Sequence, residues 1–113
     1  MKGMTVSERA RSEARARILK ALAHPTRIFV VEKLQRHPYC VCDLTDMVGS
    51  DTSTVSKHLS LLKAAGIVED RKEGTTVYYS LACECISSFM DGLESIMRKN
   101  LSRQRAALVR VPA

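Results

Sequence analysis

The sequence predicts a mainly α-helical domain with one small β-hairpin, in the order ααααββα. Three observations lead there. Residues 51–65 read as a helix closed by Gly66, with Val55, Leu59 and Leu62 at i, i+4 and i+7. A short apolar helix at 42–48 and a turn at Gly49-Ser50 precede it, which makes a helix-turn-helix pair. After Gly66 the period drops to two: residues 67–72 and 75–82 read as strands around Glu73-Gly74, with Val77, Tyr79 and Leu81 on one face. A helix-turn-helix followed directly by a hairpin is a winged helix.

The remaining elements follow in order. Residues 1–6 read as a flexible start. Ser7 can cap a helix that runs to about Ala23 with Ala14, Ile18 and Leu22 on its apolar side. His24-Pro25 interrupts it, and Pro25 suits the first position of a second helix over 25–36, with Ile28, Val31 and Leu34 inward. Arg36-His37-Pro38 ends that helix. In the third, Leu44, Met47 and Val48 face the core. The last helix spans about Glu84 to Arg103, and Ile86, Phe89, Met90, Leu93, Ile96, Met97 and Leu101 keep a stripe along it. Arg98 to Arg110 is basic and is expected to fray. The whole chain, 1–113, reads as one domain with its core at about 7–103 and flexible ends.

The 51–65 helix has a second face. Thr52, Ser53, Thr54, Ser56 and Lys57 are short donors and one cation near its N-terminus, with His58 beside them. Such a face suits the major groove of double-stranded DNA. Arg71 and Lys72 put cations next to the hairpin tip, where a wing meets phosphate. The same residues would also serve an ordinary solvated helix face; the hairpin directly after the helix favours DNA.

Charge is distributed unevenly. The formal net charge is +6, with +5 on residues 1–27, −4 on 28–94 and +5 on 95–113. Basic ends favour a polyanionic partner. No apolar run approaches membrane-spanning length and no apolar leader core is present, so a cytoplasmic protein without a membrane partner is expected. The long apolar stripe of the last helix and the weakly amphipathic first helix point to a homodimer formed by those two helices. Two recognition helices could then meet two half-sites.

The four cysteines form two pairs, Cys40-Val41-Cys42 and Cys83-Glu84-Cys85, each at the start of a predicted helix. In a reducing compartment such pairs read as ligands or redox thiols rather than structural disulfides. Helix N-termini favour the thiolate that binds metal or reacts. Inside a regular helix a C-x-C pair would point its sulfurs about 200° apart, at about 100° per residue. Both reach one ion only at an irregular terminus. The alternative is that Cys40 and Cys85 are small buried apolar residues.

Several stretches together resemble the ArsR/SmtB family of bacterial metal-responsive repressors, over about residues 10–100. They are Leu22-Ala23-His24-Pro25-Thr26-Arg27-Ile28, Cys40-Val41-Cys42-Asp43-Leu44, Thr54-Val55-Ser56-Lys57-His58-Leu59 through Ala65-Gly66-Ile67-Val68, and Arg71-Lys72-Glu73-Gly74 to Tyr78-Tyr79-Ser80-Leu81. The resemblance implies a homodimeric winged-helix repressor that releases its operator when a metal or metalloid binds thiolates. Cys-Val-Cys-Asp-Leu resembles the family's arsenic/antimony motif and part of its cadmium/lead site. This chain departs from both. Thr45 stands where the arsenic motif usually has a third Cys, the N-terminal arm has no Cys, and residues 84–113 hold none of the His ligands of the zinc type. Cys83 and Cys85 are expected to supply what is missing.

An all-sulfur site selects soft ions. Arsenite or antimonite is the expected effector, with Cd2+, Pb2+ or Zn2+ as the alternative. His24, His37 and His58 are weaker candidate ligands. A thiol redox or persulfide sensor on the same fold is a further alternative. No nucleophile–base pair, Gly-rich phosphate loop or carboxylate pair has usable spacing, so the chain reads as a binding module, not an enzyme, with no organic cofactor.

Overall fold

The computed structural model describes residues 3–109. Of the ends expected to be flexible, Met1, Lys2 and residues 110–113 lie outside the described residues. The chain forms two compact units, Met1–Cys83 and Glu84–Ala113. The first holds α1 (Val6–Leu22), α2 (Pro25–Leu34), β1 (Tyr39–Cys40), α3 (Val41–Val48), α4 (Thr52–Ala64), β2 (Val68–Glu73) and β3 (Thr76–Leu81). The second holds α5 (Cys85–Val109).

Each helix start in the first unit is fixed by its own side chains. Thr5, not Ser7, caps α1: its hydroxyl accepts from the Glu8 N–H at 3.1 Å, and Glu8 accepts from the Thr5 N–H at 2.9 Å. This capping box brings Val6 into the helix, so the start is ordered earlier than expected. Nδ1 of His24 accepts from the Thr26 N–H at 3.1 Å and caps α2, with Pro25 at the first position. The Cys40 sulfur accepts from the Asp43 N–H at 3.2 Å and caps α3. The Asp51 carboxylate accepts from the Thr54 N–H at 2.7 Å and caps α4.

Gly66 ends α4 at φ +79°. The Gly66 N–H donates to the Lys63 carbonyl and the Ile67 N–H to the Leu62 carbonyl, each at 3.0 Å. Those two bonds make a Schellman motif, and they need a residue that accepts positive φ.

The core lies between α2, α3, α4 and the sheet. Val30, Val31, Leu44, Val55, Leu59 and Leu62 are all 0% exposed. Each such side chain contributes about 1.5–3 kcal/mol by leaving water. The α4 stripe is therefore the inward face expected. Ile28, Met47 and Val48 are only half-buried, and Met47 and Val48 line an open cleft between α2 and α3.

The sheet has one strand more than expected. β1 pairs antiparallel with β3, Tyr39 opposite Tyr79 and Cys40 opposite Tyr78, giving the order β1-β3-β2. The β2–β3 ladder ends at Glu73 opposite Thr76, so the turn is Gly74-Thr75, one residue later than expected. Gly74 takes φ +62° there.

In the second unit α5 runs six residues past Arg103, to Val109. Helix-favouring Arg, Gln, Ala and Leu fill that extension. Phe89, Ile96, Met97 and Leu101 are exposed along it in the single chain. No helix among the described residues is long and apolar enough to cross a membrane.

Candidate nucleic-acid interface and thiol centre

The outer face of α4 is built as the residue types suggest. Thr52, Ser53, Thr54 and Lys57 are exposed and Ser56 is half-buried beside the hairpin. Asp51 organises the first turn: besides the Thr54 N–H, its Oδ1 accepts from the Ser53 hydroxyl at 3.0 Å. The Thr54 side chain first, then the Thr54 N–H and the Ser53 hydroxyl, hold its carboxyl below the usual carboxylate range. The helix start therefore keeps a negative charge and a pre-aimed Ser53.

His58, grouped with this face in the sequence, is placed differently. Its ring packs against His24 at 4.5 Å between centroids, and its Nδ1 is buried with no hydrogen-bond partner among the described residues. Burial pushes its pKa down, and the nearby His24 and Arg27 push it further the same way. His58 thus braces α4 against α2 from behind the outer face.

The wing carries its cations unequally. The Arg71 guanidinium pairs with Glu73 at 2.9 Å, both largely exposed, while Lys72 has no ion pair among the described residues. At the base of the wing Lys63 of α4 pairs with Asp70 of β2 at 3.0 Å. That contact links α4 to the hairpin and raises the Lys63 pKa through its hydrogen bond to Asp70.

The thiol centre sits at the start of α3. Cys40 has extended backbone, φ −74° and ψ 158°, so the pair straddles the helix boundary instead of lying in regular helix. This lets both sulfurs meet: Cys40 and Cys42 form a disulfide, with Cα atoms 5.3 Å apart. Cys40 is buried and Cys42 exposed. The Asp43 carboxylate joins them, and donor atoms of the three residues lie within 4.8 Å of one another. Sequence reasoning missed Asp43, although its place three residues after an N-cap Cys was the available clue. Thr45, at the position of the motif's third Cys, donates its hydroxyl to the Val41 carbonyl at 2.8 Å.

Reduced to the dithiol, Cys40 and Cys42 with Asp43 would offer two thiolates and one carboxylate to an ion. Cys83 and Cys85 are also disulfide-bonded. Register places Cys40 opposite Tyr78, five residues before Cys83. That is roughly 16 Å of fully extended chain.

A concavity of about 550 Å3 opens beside Cys42, between α3, α4 and the hairpin. Ser56, Asp70, Thr75, Thr76 and Tyr79 contribute to its wall. Burial, then the Asp70 charge, pushes the Tyr79 phenol up, and Lys63 partly offsets this.

The model for "Bacterial regulatory protein, arsR family" matches residues 24–70, from the α2 cap into β2. An uncharacterized helix-turn-helix transcriptional regulator of Methanocaldococcus jannaschii is 43% identical over 68 residues, which are 59% of this chain and 76% of that protein. The chain belongs to the ArsR family of transcriptional regulators.

As an ArsR-family regulator it is not an enzyme. A cadmium resistance transcriptional regulatory protein CadC homolog of Staphylococcus aureus is 42% identical to it over 77 residues, 67% of this chain and 64% of that protein. Among solved structures, the homodimeric winged helix-turn-helix DNA-binding domain of a possible ArsR-family regulator from Mycobacterium bovis superposes with a TM-score of 0.79 at 29% identity. That match covers 91% of this chain and 95% of the other.

Proposed function

We propose that this ArsR-family regulator is a homodimeric repressor that holds a double-stranded DNA operator and releases it when a thiophilic ion, foremost arsenite or antimonite, binds cysteine thiolates. One observation carries the reading: the Cys40 and Cys42 sulfurs meet at the start of α3, the helix immediately before the recognition helix. Thr52, Ser53, Thr54, Ser56 and Lys57 meet the groove, Arg71 and Lys72 meet phosphate, and His58 supports them from behind. The exposed apolar residues of α5 support pairing with a second copy, as does the homodimeric relative.

An ion that binds both conformations equally would release nothing, so the thiolates must close on it better in the DNA-incompetent form. Cys83 and Cys85 are proposed to complete the sulfur set. The test is operator binding by the reduced protein, titrated with arsenite, antimonite and Cd2+ while thiolate–metal absorbance counts the ligands. Operator binding unaffected by every ion at full occupancy would sink the reading.

Two further readings have an observation behind them. Cd2+, Pb2+ or Zn2+ is favoured by the carboxylate of Asp43, which arsenite's three-thiolate preference does not use, and by the cadmium named for the Staphylococcus aureus relative. Redox or persulfide sensing is favoured by the Cys40–Cys42 disulfide. Protein mass and operator release, compared with oxidant and with metal, separate these.

A further inference from the structure

Cys40 and Cys42 are unequal partners. Cys40 is 5% exposed and its sulfur accepts the Asp43 N–H at 3.2 Å. Cys42 is exposed and forms part of the wall of the 550 Å3 concavity. A nucleophile arriving from solvent therefore meets the Cys42 sulfur, and the sulfur it displaces is the one already held by an N–H donor. Access and a stabilised leaving thiolate are what direct thiol–disulfide exchange.

The concavity has the size and lining for the incoming group. Ligand pockets range from about 300 to 1,000 Å3. Here Ser56, Thr75, Thr76 and Tyr79 line the wall, residue types that can hydrogen-bond the polar groups of a small peptide, with Asp70 beside them already paired to Lys63.

We propose that Cys42 is a site of S-thiolation by a low-molecular-weight amino-acid or peptide thiol, with Cys40 as the leaving and resolving thiol. The incoming thiolate attacks the Cys42 Sγ, the Cys40–Cys42 bond breaks, and its electron pair leaves on the Cys40 Sγ, which takes a proton from water. One disulfide is exchanged for another with no net oxidation. From the dithiol state, a small-molecule disulfide gives the same adduct and releases one equivalent of small thiol. Return attack by Cys40 expels the adduct. Because Ser56 belongs to both the concavity and the outer face of α4, the adduct lies where DNA must approach, and it blocks docking directly. This rests on the DNA-binding part of the proposed function and is independent of its ion-sensing part.

The test uses full-length Cys40→Ser, which lacks the resolving thiol, treated with oxidised glutathione. Operator affinity of the same preparation is measured before and after treatment, and peptide mass mapping locates the adduct. The expected result is one glutathione on Cys42, an operator affinity lower by about tenfold or more, and recovery with dithiothreitol. If Cys40→Ser does not fold, disulfide-form wild type is mixed with reduced glutathione and quenched in acid, and the adduct is mapped to Cys42 or Cys40. Absence of an adduct from Cys42, an adduct on Cys40 instead, or a Cys42 adduct with unchanged operator affinity overturns the proposal. None of these results depends on whether arsenite releases the operator from wild type, so the two readings fail separately.

Discussion

The His58 ring on the recognition helix lies 4.5 Å from the ring of His24, the N-cap of α2, with planes 44° apart. His24 uses its Nδ1 lone pair to hold the Thr26 N–H, so its hydrogen sits on Nε2. His58 has its own Nδ1 buried without a partner among the described residues, as is the Nε of Arg27, whose charge acts on the His58 ring. The contact joins the start of α2 to the middle of α4.

A pH dependence follows from the sign of the His58 shift. Burial, then the charges of His24 and Arg27, hold its folded pKa below the ordinary histidine value, so the unfolded chain binds that proton more readily. The contribution is present in full above the unfolded pKa and is lost as pH falls through the folded one. Thermal midpoints measured from pH 7.5 down to 5 should fall, and His58→Gln should flatten that fall. An equal fall in the variant would assign the effect to other groups.

The wing should behave as a phosphate clamp with one cation held back. Lys72→Ala should weaken binding about equally on all DNA sequences and flatten the salt dependence by up to about one unit of slope. Glu73→Gln should release Arg71 from its 2.9 Å ion pair and move affinity and slope the opposite way. Ser56→Ala should instead alter specific affinity or base preference. Binding measured over a salt series distinguishes the three, and no change in any of them would refute the docking model.

Ion selectivity should divide at Asp43. Cys42→Ser should bind operator near normally and no longer release it with arsenite. Asp43→Asn should spare the arsenite response and weaken the Cd2+ response if the carboxylate is a ligand. The double variant Cys83→Ser/Cys85→Ser decides whether the second pair shares the site. Normal arsenite affinity and release there would leave Cys40 and Cys42 with a non-Cys third ligand.

Along α4, burial should set stability residue by residue. Leu59 is 0% exposed and Leu61 50% exposed. Leu59→Ala should cost about 2–5 kcal/mol by urea titration. Leu61→Ala should stay within about 0.5 kcal/mol. Similar costs would mean that the exposed side of α4 is covered in solution.

Most of the framework was legible because it is local. The α4 stripe, the Gly66 stop and the hairpin depend on residues within one or two turns of each other, and the structure has all three. The two-residue β1 was invisible because nothing about Tyr39-Cys40 is strand-like until Tyr78 and Tyr79 lie beside it. The Thr5 cap was visible in Thr5-Val6-Ser7-Glu8 but lost to the nearer Ser7. At the candidate site, the residue types exposed on α4 could be read, and the inward turn of His58 could not, because its partner His24 is 34 positions away. Asp43 was hidden by reading the motif as cysteines alone. The bond between the two sulfurs reflects redox state, which residue order does not encode.

The ladder from β1 to β3 gives Cys40 two mechanical outputs. Through the chain it begins α3, which leads by one short turn to α4. Through its pairing with Tyr78 it is anchored to the middle strand of the sheet whose other edge is β2, with Arg71 and Lys72. The helix and the wing proposed to meet DNA are thus each joined to the cysteine by a route of their own. Tyr78 stands opposite both Cys40 and Arg71, so one residue of the middle strand touches both edges of the sheet.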